Sequence, residues 1–223
     1  MKQEKNTFLE KAYWDNFYKT CDIDVPSQFC VTMATDQHNR KTIVEFGMGN
    51  GRDALYLASQ GHIVIAADIS ESAVEFCDQT MIRRGVSHAA FIVGDISNGS
   101  VIENTIKLAR ERCHKDSTEL VFYSRFVMHS LSQEQEEAFL KSASSLMHPG
   151  DCIYLEFRAR QDECTKKYFG EDNHFRRYID SGKFIENLEE IYKLTVKYHI
   201  TGRGMAKYKR EDPVVTRVIA VKS

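Results

Sequence analysis

The sequence predicts an α/β protein in which a seven-stranded, mostly parallel sheet carries helices on both faces and closes with an antiparallel C-terminal hairpin. Three observations predict it. Between Thr42 and Phe157, short apolar, β-branched runs alternate with amphipathic stretches, the rhythm of strands joined by crossover helices. After Phe157 that rhythm gives way to a polar, aromatic segment, a short helix and two further β runs, which suit a hairpin added to the sheet. Only three prolines (Pro26, Pro149 and Pro213) punctuate the chain, and no Gly/Ser-rich linker or fixed-period repeat divides it, so its 223 residues read as a single domain with appendages.

In chain order, TIVEFG is the first strand and RDALYLASQG its helix; HIVIAAD is the second strand, SESAVEFCDQTMIRRG the next helix and AAFIVGD the third strand. A polar helical stretch ending near His114 leads to the fourth strand, ELVFYS. The helix SQEQEEAFLKSASSLMHPG and the fifth strand, CIYLEF, follow. Ser70 is placed to cap the second crossover helix, Ser132 with Gln135 spells a capping box, and Pro149 with Gly150 stops that later helix. LTVKYHI and VVTRVIAVK supply the hairpin. The expected division is an N-terminal helical lid over 1–40, a core over 41–157, an inserted lid over 158–190 and the hairpin over 191–223. In the first of these, the aromatic residues Tyr13, Trp14, Phe17 and Tyr18 share one helical face, which suits packing on the core or a lid across a ligand.

Composition excludes several classes. Hydrophobic residues at 42% and charged residues at 28% are ordinary for a folded, water-soluble chain. With 30 Lys+Arg against 32 Asp+Glu, no global field points to nucleic acid or an anionic membrane. No stretch approaches the ~20 apolar residues that span a bilayer, and the start MKQEKNTFLEK is charged where a signal peptide is apolar, so a cytoplasmic location is expected. The six cysteines include no CxxC pair and the eight histidines no HExxH, so no metal site or disulfide framework is signalled.

The sharpest signal is Glu45-Phe46-Gly47-Met48-Gly49-Asn50-Gly51-Arg52-Asp53, standing between the first strand and its helix. Ligands of open parallel sheets bind beyond the carboxyl ends of the strands, and glycines there let main chain approach them. A dinucleotide fingerprint requires G-x-G-x-x-G, but Arg52 occupies its third glycine position; the G-K-[ST] of a P-loop is absent. Asp68, at the end of the second strand and followed by Ile69, can accept both ribose hydroxyls of an adenosine. The third strand ends in Gly94-Asp95-Ile96, where an adenine amino group would lie.

In these residues the chain resembles the class I S-adenosylmethionine-dependent methyltransferases, whose fold is Rossmann-like. E-x-G-x-G-x-G on the first strand, an acid ending the second and G-D-[IV] ending the third match that superfamily's cofactor motifs in order. The resemblance implies that Glu45 supports the loop, that Gly47 to Gly51 pass the amino-acid part of the cofactor, that Asp68 holds the ribose and that Asp95 with Ile96 frames the adenine. Asp53, Ser124 and Arg125 complete the expected cofactor set, although Arg52 and Asp53 could instead pair or cap the next helix.

The acceptor side is less sharply marked. The fourth strand delivers Ser124-Arg125-Phe126-Val127-Met128-His129, without the [DN]-P-P-[YF] of amide and adenine methyltransferases or the Pro-Cys of cytosine ones. From Arg158 to Asp212 the chain carries 13 Lys+Arg and 10 Asp+Glu, and paired arginines beside aromatics suit phosphate or carboxylate. Expected acceptor contacts are Tyr13, Trp14, Tyr18, Glu156, Arg158, His174, Arg176, Arg177 and Tyr178. YWDNFY, SRFVMHSLS, EFR and HFRRYI are similar to methyltransferases that cap O-antigen chains at a terminal phosphate. That likeness implies an anionic acceptor such as a phosphorylated glycan, and separate polysaccharide-biosynthesis enzymes as partners. A phosphate acceptor needs only positioning groups, including Arg125; a hydroxyl acceptor needs a base, for which His129 is best placed. Three other readings are a catalytically silent cofactor-binding regulatory module, a methyltransferase acting on another small molecule at a hydroxyl or carboxylate, and a dinucleotide oxidoreductase.

Overall fold

The computed structural model describes residues 11–19, 24–165 and 175–223. Alternation of side chains along the strands decides how the centre of the sheet is buried. In β1 (Lys41–Phe46) every residue is buried; Ile43 joins one apolar layer, while Val44 and Phe46 join the other. β2 (Ile63–Asp68) is likewise buried throughout, as strands covered on both faces must be. β3 (Ala89–Val93), at the sheet edge, is only half buried. β4 (Glu119–Arg125) and β5 (Cys152–Arg158) complete the parallel set. β6 (Leu194–Gly202) and β7 (Val215–Lys222) form an antiparallel pair whose second member returns to lie beside β5. The order is β3-β2-β1-β4-β5-β7-β6, the seven-stranded, mostly parallel sheet expected from the sequence.

Helices cover both faces. Residues 11–19 are helical (α1). α2 (Gln28–Asp36), α3 (Arg52–Ser59) and α4 (Glu71–Arg84) build one layer, in which Phe29, Met33, Leu57 and Cys77 pack on Val64, Val121 and Tyr123. α5 (Gly99–Asp116), α6 (Gln133–Leu146) and α7 (Ser181–Glu190) build the other, with Ile102, Phe139, Phe184 and Leu188 against Phe122, Leu155 and Val218. Their starts are set by side-chain caps: the Ser70 hydroxyl accepts from the Ala73 amide, and Ser132 with Gln135 forms the full capping box, satisfying amides that have no partner within the helix. None of the described helices is long and apolar enough to cross a membrane.

Candidate functional site

β1 ends in a turn that only glycine accommodates readily. Gly47 (φ +74°) and Gly49 (φ +57°) are left-handed, and the amide of Gly47 donates to the Ala67 carbonyl of β2 at 2.8 Å. A Cβ on Gly47 would lie 2.2 Å from a Val127 methyl, and one on Gly49 would lie 2.5 Å from the Tyr18 hydroxyl. The loop is therefore held close to β4's end on one side and to α1 on the other. Beside it, one Asp68 oxygen accepts the Gly49 amide at 2.8 Å and the other accepts the Ser70 amide at 2.9 Å. Burial raises the Asp68 carboxyl above its ordinary range, against the opposing pull of these backbone amides.

Loop and carboxylate form the floor of a cleft of about 620 Å³ beyond the carboxyl ends of the parallel strands. Glu45, Met48, Asn50, Ile69, Asp95 and Ile96 share that end of its wall. One Asp95 oxygen is taken by the amide and hydroxyl of Ser97, at 2.8 and 2.7 Å. Glu45 is 3% exposed and its Oε2 has no hydrogen-bond partner among the described residues. Burial, and then the nearby Asp53, raise its carboxyl well above the usual carboxylate range. The sign follows from linkage: a carboxyl raised on folding contributes stability fully present below its unfolded value, 4.5, and lost as pH rises through the folded one. Glu45→Gln is thus expected to raise the melting temperature at pH 7.5 by a few degrees, with the advantage shrinking towards pH 4.5. Thermal melts across that range check it; an equal or lower melting temperature at pH 7.5 contradicts it.

α1 closes one side of the cleft. Tyr13, Trp14, Phe17 and Tyr18 all line it, with Trp14 and Tyr18 stacked at 5.8 Å. The helix is tied down by Asp15, whose carboxylate accepts from the Ser70 hydroxyl at 2.6 Å and from the Ser72 amide at 3.2 Å, at the start of α4. The aromatic face thus lines the cleft while Asp15 holds the same helix on α4.

The opposite end is built by the turn after β4. Phe126 takes a left-handed conformation (φ +61°), its amide held by the Glu156 carbonyl at 2.8 Å, and the Arg125 guanidinium lies 4.2 Å from its ring centre. A 3₁₀ turn, Met128–Ser130, follows and carries His129 on the cleft wall. Arg158 and Arg176 line the same end. So do Phe126, Val127, Leu131 and Gln135, and from the β6–β7 connection Tyr208, Lys209, Glu211 and Pro213; none of these was among the expected site residues. The apolar run before His129 was a usable signal for Phe126 and Val127. Nothing in the spacing marks the second.

Several predicted residues stand elsewhere. Ser124 is buried and donates to the Phe46 carbonyl at 2.9 Å, which joins β4 to β1. Gly51 lies behind the loop at the start of α3, where a Cβ would meet the Cys77 sulfur at 2.4 Å. Asp53 reaches the cleft wall, yet both its oxygens are committed: one accepts the Ser27 amide at 2.7 Å, the other the hydroxyls of Ser27 and Tyr123 at 2.7 and 2.9 Å. It fastens α2 to the core. Glu156 is fully buried in β5 and off the cleft wall, between Arg125 of β4 at 2.7 Å and Arg217 of β7 at 2.6 Å. Arg177 is a clamp: its guanidinium donates to the carbonyls of Leu131 and Met128 and to Glu136. Tyr178 is likewise off the wall, and His174 lies outside the described residues.

A glycine turn, an acid on the adjacent strand and a cleft at the strand ends give the comparisons their structural context. Residues 43–150 match the methyltransferase domain family. The chain is 31% identical over 72 residues to 2-heptyl-1-hydroxyquinolin-4(1H)-one methyltransferase of Mycobacteroides abscessus, an alignment covering 29% of this chain and 32% of that protein. It thus spans about a third of the length of that curated relative. Among solved structures, an S-adenosylmethionine-dependent methyltransferase of Anabaena variabilis superposes with a TM-score of 0.70 at 14% identity, over 97% of this chain and 95% of that one. TehB of Haemophilus influenzae gives 0.66 at 17% identity, over 96% and 67%. A third is 1,6-didemethyltoxoflavin-N1-methyltransferase of Burkholderia thailandensis, bound to 1,6-didemethyltoxoflavin and S-adenosylhomocysteine, with 0.62 at 16% identity over 87% and 76%. At these identities the likeness establishes the fold, the Rossmann-like sheet of methyltransferases.

Proposed function

We propose that the chain is a class I methyltransferase that transfers a methyl group from S-adenosylmethionine to a small-molecule acceptor. The observation that carries this reading is the cradle itself: the Gly47–Gly49 turn, closed to any side chain, joined through the Gly49 amide to Asp68 on the next strand. S-adenosylmethionine is the cofactor. The residues fit it: the oxygens of Asp68 accept the amides of Gly49 and Ser70 while a carboxylate offers about four lone-pair sites, enough for ribose hydroxyls as well, and the buried Glu45 Oε2 is an acceptor on the wall with no partner among the described residues. Asp95 and Ile96, on the same end of the wall, would border the adenine. When bound, the cofactor supplies a methyl carbon made electrophilic by the sulfonium charge. The chain's own task is alignment and exclusion of water, for which α1 covers one side and the β4 turn with the β6–β7 connection shapes the other.

The acceptor is a small molecule with a planar, apolar body, because Trp14, Phe126, Leu131 and Tyr208 line the cleft outside the glycine loop. A phosphorylated glycan, implied by the O-antigen resemblance, draws less support. Arg125 is matched by Glu156, Arg158 by Asp162 and Glu211, and Arg177 by Glu136, so three of the expected phosphate ligands already face the chain's own carboxylates. The test is mass spectrometry of products after incubation with S-adenosylmethionine and a panel of 4-nitrophenol, benzoate, nicotinamide, a hexose and a hexose 6-phosphate. A methylated aromatic product is expected. Methylation of the hexose 6-phosphate alone reverses the acceptor assignment, and cofactor binding with no turnover on an extended panel favours the silent-module reading.

A further inference from the structure

α1 is held differently from the other described helices. Each helix from α2 to α7 buries at least two side chains, whereas every residue of α1 is half-buried or exposed, its aromatic face included. Core packing therefore does little to fix α1, and contacts at the rim of the cleft set its place. On one side the Asp15 carboxylate accepts from the Ser70 hydroxyl at 2.6 Å and from the Ser72 amide at 3.2 Å. Lys11 reaches Glu71 in the same turn at 2.8 Å, an exposed pair that adds little. On the other side the Tyr18 ring covers Gly49, with its hydroxyl 2.5 Å and Cε1 2.8 Å from where a Cβ would stand.

Both attachments lead to one carboxylate. Ser70 donates its amide to Oδ1 of Asp68 at 2.9 Å, and Gly49 donates its amide to Oδ2 of the same side chain at 2.8 Å. The Ser70 hydroxyl also accepts the Ala73 amide at 3.1 Å, so its single proton is committed to Asp15. The path from Asp15 through Ser70, Asp68 and Gly49 to Tyr18 thus closes on α1. A shift of α1 pulls on Ser70 at one end and uncovers Gly49 at the other, and a group that immobilises Asp68 steadies both ends.

We propose that Asp15 is a positioning residue that couples docking of α1 to occupation of the Asp68 cradle, so that the aromatic wall of the acceptor site is set in place as S-adenosylmethionine binds. This rests on the methyl-transfer reading above. Coupling of this kind is reciprocal: the factor by which the nucleoside favours docked α1 is the factor by which docked α1 favours the nucleoside. An acceptor then meets Trp14 and Tyr18 as a formed surface only in the cofactor-loaded protein, which places cofactor before acceptor in the order of binding.

The experiment compares the full-length parent, Asp15→Ala and Asp15→Asn, each shown to be folded by a thermal melt. Hydrogen exchange followed by mass spectrometry, with and without S-adenosylhomocysteine, reads α1 over residues 11–19, and calorimetry reads the affinity. In the parent, S-adenosylhomocysteine is expected to slow exchange over 11–19. In Asp15→Ala that protection is expected to be lost and the affinity to fall about 10-fold, within the usual range for coupled sites. Asp15→Asn keeps an acceptor oxygen for Ser70 and Ser72 and loses only the charge at the start of α4, so it is expected to restore the affinity to within about threefold of the parent. Trp14, the chain's only tryptophan, lines the cleft, and quenching of its fluorescence by acrylamide reads α1 without any ligand; stronger quenching in Asp15→Ala than in the parent is expected. Unchanged affinity or unchanged quenching in Asp15→Ala, or an asparagine variant as weak as alanine, overturns the proposal. A parent that binds no S-adenosylhomocysteine defeats the methyltransferase reading, whereas a parent that binds it with exchange over 11–19 unaltered defeats the proposal for Asp15 alone.

Discussion

Asp68→Ala is expected to weaken S-adenosylmethionine binding by at least about 100-fold. Two hydrogen bonds from ribose hydroxyls to a carboxylate at about 1.5–3 kcal/mol each set that scale, since about 1.4 kcal/mol corresponds to tenfold. The side chain has a second task, because its oxygens hold the amides of Gly49 and Ser70. Loss of the carboxylate therefore removes the ligand contact and loosens the glycine loop together. Asp68→Asn separates the two effects: the amide retains one acceptor oxygen for Gly49 or Ser70 but presents an N–H₂ to the other. It is expected to bind with an intermediate loss. Calorimetric titration of all three proteins, with thermal melts to show that each is folded, checks the order. An alanine variant that binds as tightly as the parent removes Asp68 from the site.

Glu156→Ala is expected to be the most damaging single change to stability. Sheet register sets Arg125 of β4, Glu156 of β5 and Arg217 of β7 side by side across three adjacent strands, and the carboxylate between the two guanidiniums is fully buried. Arg217 lies 5.1 Å from the Phe29 ring centre as well, and donates to the Met205 carbonyl at 2.6 Å. Removing the shared anion leaves two largely buried cations facing each other. Breaking a buried pair typically costs about 3–5 kcal/mol, which for a chain of this size lowers the melting temperature by about 6–20 °C. Glu156→Gln keeps the shape and an acceptor oxygen and is expected to lose less. Urea denaturation gives the free energies, and a loss below about 1 kcal/mol for the alanine variant would show that solvent already screens the row.

The parts of this protein that were legible in its sequence are those encoded within a few residues. Gly47 and Gly49 announce a turn because no other residue fits there, and Asp68 announces itself by ending a buried strand. Strand and helix assignments followed from period and caps, as at Ser70 and Ser132. Roles that depend on distant partners were not legible. Asp53 looks like a loop residue, but its carboxylate is bound by Ser27 and Tyr123, 26 and 70 positions away. Arg177 looks like a phosphate ligand, but the fold brings it to the carbonyls of Met128 and Leu131. Glu156 acquires two arginine neighbours only through the register of β4, β5 and β7. The Tyr208–Pro213 stretch lines the cleft because β7 inserts between β5 and β6, an order that no local pattern records. Charge along the chain likewise counts arginines without their carboxylate partners, such as Glu156 beside Arg125 and Glu136 beside Arg177.

In the proposed function, the turn after β1 and the acid that ends β2 form one nucleoside cradle. Calorimetric titration of the unaltered chain with S-adenosylhomocysteine and, separately, with NAD tests that most directly. Saturable binding of S-adenosylhomocysteine at one site per chain, with no heat from NAD, is the predicted result; binding of NAD with none of S-adenosylhomocysteine would contradict it.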